Sequence, residues 1–414
     1  MSEAAARNAA SEGGRKAPVY LDWAATAPLC KEAARAMEPF QVPGPANLAV
    51  GANPNSLHSP GRAAFAALEE ARRQVARAVG AQRPSEIVFT SGATEADNAA
   101  VLGIVAAACA ERRRRAGNAA FVPHLIVSAI EHEAVLAPAR ALERLGCAVT
   151  RLAPNRQGFV EVRALEEALT PDTVLVSIQA ANGEVGAIQP VAELAAVAHA
   201  SGALVHTDAV QALGKAPVDV GEWGVDAASF SAHKIGGPKG VGALYLRART
   251  PFEPLLTGGG QEAGRRSGTQ NVAGAAGFAA ACRAVCADRE REAARQRALR
   301  DRLYSALAGF DRVEATVDVA PGSEDFLPNI VHLLVRGLES ETLVLRYDLQ
   351  GIAVSGGSAC SSHDLEPSHV LRAMGISADR AAGSLRISLG RGTSEADIEA
   401  LIAATPGVLE GGRA

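Results

Sequence analysis

Residues 228–246 read ASFSAHKIGGPKGVGALYL. An apolar run closing at Ser231 and a second opening at Gly242 flank a glycine- and proline-rich segment that holds a lysine, Lys234. Short apolar runs without polar alternation are the pattern of strands covered on both faces, and Gly-Gly-Pro between them marks a chain reversal. Lysine is an unusual occupant of such a junction, because its amine must be solvated or paired.

The same texture recurs outward from this stretch. EIVF (86–89), LIVS (125–128), TVLVSI (173–178) and ALVHT (203–207) are short β-branched runs separated by alanine-rich segments of helical period. This is α/β patterning, with a mostly parallel sheet and helices on both faces. The runs are followed by SGATE, Glu131-His132, ANGE, DAVQ and AHK, so polar and ionisable residues collect at the carboxyl ends of five strands. Ligands bind at that edge of open α/β sheets. Beyond residue 288 a long charged helix (DREREAARQRALRDRLYSAL) precedes NIVHLLV and GIAVSGGSACSS, which predicts a second, smaller α+β domain.

Bulk properties narrow the function classes. The chain has 414 residues, 48% hydrophobic and 21% charged, with formal net charge -4. That balance supplies no electrostatic reason to bind nucleic acid or an anionic membrane. The longest uninterrupted apolar run is too short to predict a bilayer span. The first 16 residues lack the charged-then-apolar order of a secretory signal and predict a disordered tail; the expected location is the cytoplasm. Six cysteines show no CxxC pair and no zinc spacing, and all but Cys360 are expected to be buried free thiols.

A lysine with a lowered pKa condenses with carbonyls, and pyridoxal phosphate is the common carbonyl cofactor. Such a site needs an anion cradle, which TSGATEADNAA (90–100) offers with Ser91 and Thr94 at a helix start, although an ordinary N-cap reads the same way. The ring nitrogen needs a carboxylate, and Asp208 ends the run ALVHT; taken alone, an Asp there is more often a turn former. His132 is a candidate for the ring face, though a lone histidine is more often structural.

Read in order, GATE, EH, NGEVGAIQP, HTDAVQ, SFSAHKIGGPKGVGALYLR, GGGQEAGRRSGTQNVAG, SGGSACSSHDLEPSHVLRAMG and SLRISLGRGT resemble the cysteine desulfurases of the class-V aminotransferase superfamily, from VYLDWAATAP (19–28) through Arg391. The resemblance implies a fold type I enzyme with a seven-stranded sheet, a large domain over 29–288, and a small domain over 17–28 and 289–414. It implies that Lys234 anchors pyridoxal phosphate covalently, His132 stacks on the ring and shuttles protons, Asp208 pairs with the ring nitrogen and Gln211 donates to the ring hydroxyl. Ala93, Thr94, Ser231 and His233 would hold the phosphate, with Thr269 reaching in from the other subunit of a homodimer. Asn182 and Arg386 would hold L-cysteine, Arg386 by its carboxylate. Ala27 and Ala232 stand where many relatives have threonine and glycine, and neither removes a group named here.

Cys360 lies in VSGGSACSSHDLEP, a glycine- and serine-rich segment that predicts an exposed loop rather than core. In the family it resembles, the loop cysteine attacks the substrate sulfur, so that alanine leaves and a persulfide stays on the thiol for delivery to an acceptor protein. The SACSS…LEPSHVL form resembles the long-loop branch associated with iron-sulfur assembly and nitrogenase maturation, in which Cys360 would also share ligation of a nascent cluster with a scaffold. His363 could tune the thiol; most loop histidines do not. Selenocysteine lysis, other class-V chemistry and a catalytically silent scaffold are the rival readings. ERRRR (111–115) reads as the solvated end of a helix rather than a docking patch.

Overall fold

The structure, a computed structural model, describes residues 18–42, 44–115, 121–357 and 368–410. The expected N-terminal tail, Cys360 and His363 lie outside the described residues.

After a short strand β1 (Val19–Tyr20), seven strands build a central sheet: β2 (Ile87–Thr90), β3 (His124–Ser128), β4 (Ala148–Leu152), β5 (Thr173–Ser177), β6 (Leu204–Asp208), β7 (Ala227–Ser231) and β8 (Gly242–Leu246). Their order is β2-β8-β7-β6-β5-β3-β4. Pairings from β7 to β4 are parallel, and β8 runs antiparallel to both of its neighbours, β2 and β7. Edge strand β4 shows no apolar run in the sequence, because it keeps Thr150 on a partly open position and Arg151 on an exposed one.

Alternation along the buried strands divides the sheet into two cores. Ile87, Phe89, Ile126, Val176, Ala228, Phe230 and Tyr245 pack on one face with the helices Ser59–Ala78, Val191–Ala200 and Val272–Ala287. Val88, Leu125, Val127, Leu175, Leu244 and Leu246 pack on the other with the helices Ala93–Arg115 and Glu133–Arg144. Helix Ser59–Ala78 forms because Ala64, Leu68, Ala71 and Val75 fall on one face at helical spacing, and His58 Nδ1 caps it by accepting from Gly61 N at 3.2 Å.

Helix Ala93–Arg115 corrects two expectations. It is long and apolar enough, by length and composition alone, to cross a bilayer, yet most of it is buried against the sheet as a core helix. Its basic end is also not simply solvated. Arg112 donates to Pro171 O at 2.7 Å and Thr173 O at 3.1 Å, and lies 5.7 Å over the Phe121 ring, tying the helix end to the start of β5. The cysteines differ from expectation too: Cys109 and Cys282 are buried, Cys30 and Cys147 partly buried, and Cys286 exposed. Cys30 works as a cap, its Sγ accepting from Ala33 N at 3.4 Å.

Strands β9 (Val313–Ala315), β10 (Ile330–Val335) and β12 (Ser384–Ser388) form an antiparallel sheet in the order β12-β10-β9, while β11 (Ile352–Ala353) pairs in parallel with β1. Leu21, Leu303, Val331, Leu333, Tyr347, Leu385 and Leu401 form a separate core there. Helix Arg289–Leu307, charged along most of its length, buries a stripe of Ala293, Gln296, Leu299, Leu303 and Leu307. The N-terminal segment joins the two cores. Asp22 bridges to Ser388, and farther along Ala27 N donates to His233 O at 2.9 Å.

Candidate active site

The carboxyl ends of β2, β3, β5, β6 and β7 open into one cavity of about 730 Å³. Ala93, Thr94, His132, Asn182, Asp208, Gln211, Ser231, His233, Lys234 and Arg386 all line it. Thr269 does not. It is exposed and borders a neighbouring hollow of about 160 Å³ with Arg266 and Gln270.

Lys234 sits in the single turn Ala232–Ile235 that follows β7 and ends on Gly236, whose φ of 81° lies in the left-handed region. This turn aims the side chain back over the sheet edge, where Nζ donates to Ala24 O at 2.7 Å and Ala25 O at 2.9 Å. Gln211, in the turn after β6, donates from Nε2 to the same Ala24 carbonyl at 3.1 Å.

Asp208 ends β6, and its Oδ1 accepts from Val210 N at 2.9 Å. Burial raises its pKa, while His132 and Lys234 pull the other way. His132 caps helix Glu133–Arg144 by accepting from Ala134 N at Nδ1, 3.1 Å away, so the neutral imidazole carries its proton on Nε2. Two further carboxyls stand behind Asp208. Burial drives Glu131 up to about 8, although its Oε1 accepts from Ser128 Oγ and Gln179 N at 2.6 and 2.8 Å. Asp97 is raised by burial, by Asp208 and by Glu131, and neither of its oxygens makes a hydrogen bond of standard geometry. Neither Glu131 nor Asp97 was singled out as a site residue from the sequence, since buried carboxyls leave no trace in residue order.

Across the cavity, Arg386 projects from β12 with its guanidinium donating to Asp22 Oδ1 at 2.9 Å and Gly183 O at 3.1 Å; its buried Nε makes no hydrogen bond. Asn182 uses Oδ1 to accept from Glu184 N and Val185 N, both at 2.9 Å, and Nδ2 to reach Ile130 O at 3.3 Å. One of its two amide hydrogens remains for a ligand. The sequence reading also passed over His369 and Ser368 at the rim. His369 Nε2 lies 2.9 Å from Glu131 O, and Ser368 Oγ donates to Glu184 Oε2 at 2.6 Å.

These residues fit pyridoxal phosphate. Ala93 and Thr94 open a 23-residue helix whose first N–H groups have no partner within it, and Ser231 adds a hydroxyl. His233, 3.1 Å from Thr26 Oγ1, is pushed down to about 4 by burial and then by Lys234, Lys239 and Lys215, so this wall favours an anion. The buried Asp208 carboxyl would be relieved by a cationic N–H, and the Lys234 amine stands on the same cavity for a carbonyl.

The family model described as aminotransferase class-V matches residues 19–401. A cysteine desulfurase IscS from Dictyoglomus turgidum is 43% identical over 383 residues, 92% of each chain. Among solved structures, a NifS-like protein superposes with a TM-score of 0.84 at 35% identity, covering 95% of this chain and 99% of that one. SspA in complex with cysteine gives 0.73 at 32% identity, covering 89% of this chain and 98% of that one.

Proposed function

This chain belongs to the class-V aminotransferase family and is a pyridoxal-phosphate-dependent cysteine desulfurase, and from that premise we propose how its own residues divide the work. Lys234 binds the cofactor covalently, Asp208 holds the ring nitrogen, Gln211 the ring hydroxyl, and Ala93, Thr94, Ser231 and His233 the phosphate. Bound there, the cofactor supplies an electron sink for the substrate α-carbon.

Arg386 takes the carboxylate of L-cysteine in two-pronged fashion, exchanging Asp22 for it, and Asn182 offers its remaining amide hydrogen. His132, whose Nδ1 is engaged by Ala134 N, would stack on the ring and offer Nε2 for proton transfer. Cys360 then attacks the substrate sulfur as the thiolate: an S–S bond forms, the substrate C–S bond breaks with its electron pair staying on the β-carbon, that carbon takes up a proton, and alanine leaves with a persulfide remaining on Cys360. The persulfide passes to an acceptor for iron-sulfur assembly or another sulfur transfer, a reading supported by the IscS name of the relatives.

The working unit is a cytoplasmic homodimer in which Thr269 serves the cavity of the second copy. Two features support this. Thr269 is exposed beside its own cavity without lining it, and the segment tied to its loop by the Asn55 Nδ2 to Gln270 Oε1 hydrogen bond at 2.9 Å carries Leu57, 89% exposed.

The convergence of Lys234 and Asp208 on one cavity with a cationic wall carries the reading. Protein loaded with pyridoxal phosphate should be yellow, and borohydride should bleach the band and fix the cofactor on the Lys234 peptide. Cys360→Ala should keep the band and lose sulfide release from L-cysteine. Undiminished release in Cys360→Ala would refute the role of that thiol, and a colourless loaded protein would refute the site. Comparing L-cysteine with L-selenocysteine separates the desulfurase from a selenocysteine lyase.

A further inference from the structure

A second lysine belongs to this neighbourhood. Lys215 lies in the turn after β6, and its Nζ donates to Gln211 Oε1 at 3.1 Å. Gln211 Nε2 donates to Ala24 O at 3.1 Å, and the same carbonyl accepts from Lys234 Nζ at 2.7 Å. A continuous set of contacts therefore runs from Lys215 through Gln211 and Ala24 to Lys234. An ammonium has donors only, so its contact assigns the Gln211 amide: oxygen toward Lys215, nitrogen toward Ala24 and the cavity. Gly183 leaves the room this orientation needs, since a Cβ there would stand 3.0 Å from Gln211 Cγ and Nε2.

We propose that Lys215 is a positioning residue that orients the Gln211 amide toward the cofactor and opposes protonation at the Lys234 nitrogen. The proposal rests on the site reading given above. Its electrostatic half follows from what surrounds the amine. The charged groups acting on Lys215 are Lys234 from the turn after β7 and Arg386 from β12, and Lys215 in turn acts on His233. Asp22 is engaged by Arg386 at 2.9 Å, and Asp208 acts with Lys234. Burial, then these two cations, push Lys215 down to about 7. While Lys215 is charged, a further proton on the Lys234 nitrogen is disfavoured. Removing that charge raises the pKa at Lys234.

The test compares loaded wild type, Lys215→Met and Lys215→Arg by following the visible cofactor band across pH. Lys215→Met should move the titration midpoint upward by about half a pH unit or more, a shift larger than a remote structural change produces. Its kcat should fall about tenfold with KM nearly unchanged, the pattern of an interaction made at the reacting centre. Lys215→Arg, which keeps the charge, should return the midpoint to that of wild type. Apo protein should show the same order in the reactivity of Lys234 toward an acylating reagent. If Lys215→Met does not fold, Lys215→Gln replaces it. A midpoint unchanged in the uncharged variant, or shifted equally in Lys215→Arg, overturns the proposal. Wild-type protein without a band reducible onto Lys234 would instead overturn the site reading itself.

Discussion

Single side chains in this site are held by contacts that leave little room for change. Gly183 illustrates it, because its carbonyl accepts from Arg386 while its missing Cβ lets Gln211 lie close. Gly183→Ala should push Gln211 off the Ala24 carbonyl and weaken pyridoxal phosphate binding by about tenfold, equivalent to roughly 1.4 kcal/mol. Equilibrium titration of the apo variant with cofactor checks this, with unchanged unfolding behaviour expected as the control. Arg386 is the companion case. Its pairing with Asp22 means that Asp22→Asn should leave cofactor binding intact and alter the KM for L-cysteine, measured as initial rates of alanine formation.

At the level of elements, the loop carrying Thr269 is fastened by a buried ion pair. Arg72, from helix Ser59–Ala78, donates to both oxygens of Glu262 at 2.5 and 2.8 Å, and Phe89 N of β2 donates to Glu262 Oε2 at 3.0 Å. Glu262 and Ala263 both hold positive φ, 51° and 56°, a backbone conformation that costs free energy and persists because the pair pins it. Glu262→Ala leaves the buried Arg72 guanidinium with only the partly exposed Glu69 as counter-charge, 2.9 Å from Nε, and strips Phe89 N of its acceptor. The expected loss is about 3–5 kcal/mol in urea unfolding. Replacing both partners with methionine should recover much of it, because then no unpaired charge is buried. The helix Ala93–Arg115 shows another side of this scale: its apolar surface is large because the sheet covers it.

Across the whole molecule, buried titratable groups link stability to pH. His332, in β10, lies 2.7 Å from Thr316 Oγ1, and burial lowers it from 6.5 to about 3. A depressed folded-state pKa means that its contribution is complete above about pH 6.5 and is lost as pH falls from there toward 3. Glu131 acts oppositely: raised to about 8, it stabilises at low pH and loses that contribution as pH rises through 8. The slope of wild type alone therefore mixes both signs, and the difference between wild type and His332→Asn isolates the histidine. That difference should shrink on acidification from pH 7 by at most about 1.4 kcal/mol per pH unit, read from urea midpoints.

Residue order alone determined the α/β class, the strand ends where polar residues gather, and the candidacy of Lys234, Asp208, His132 and Thr94, while the family resemblance supplied the other six residues that meet in the cavity, Arg386 among them. Buried strands announce themselves as apolar runs, and the turns that follow carry the reactive groups, so both are local signals. Edge strand β4 escaped because its open positions tolerate Thr150 and Arg151. Asp97, Glu131, Lys215, Asp22 and His369 were invisible as site residues because their significance lies in which neighbours share their burial. Lys215 and Lys234 stand nineteen residues apart in the chain yet are linked through Gln211, which accepts from Lys215 and shares the Ala24 carbonyl with Lys234. Only the tertiary structure decides such encounters, since desolvation and charge coupling depend on distance in space rather than on position along the chain.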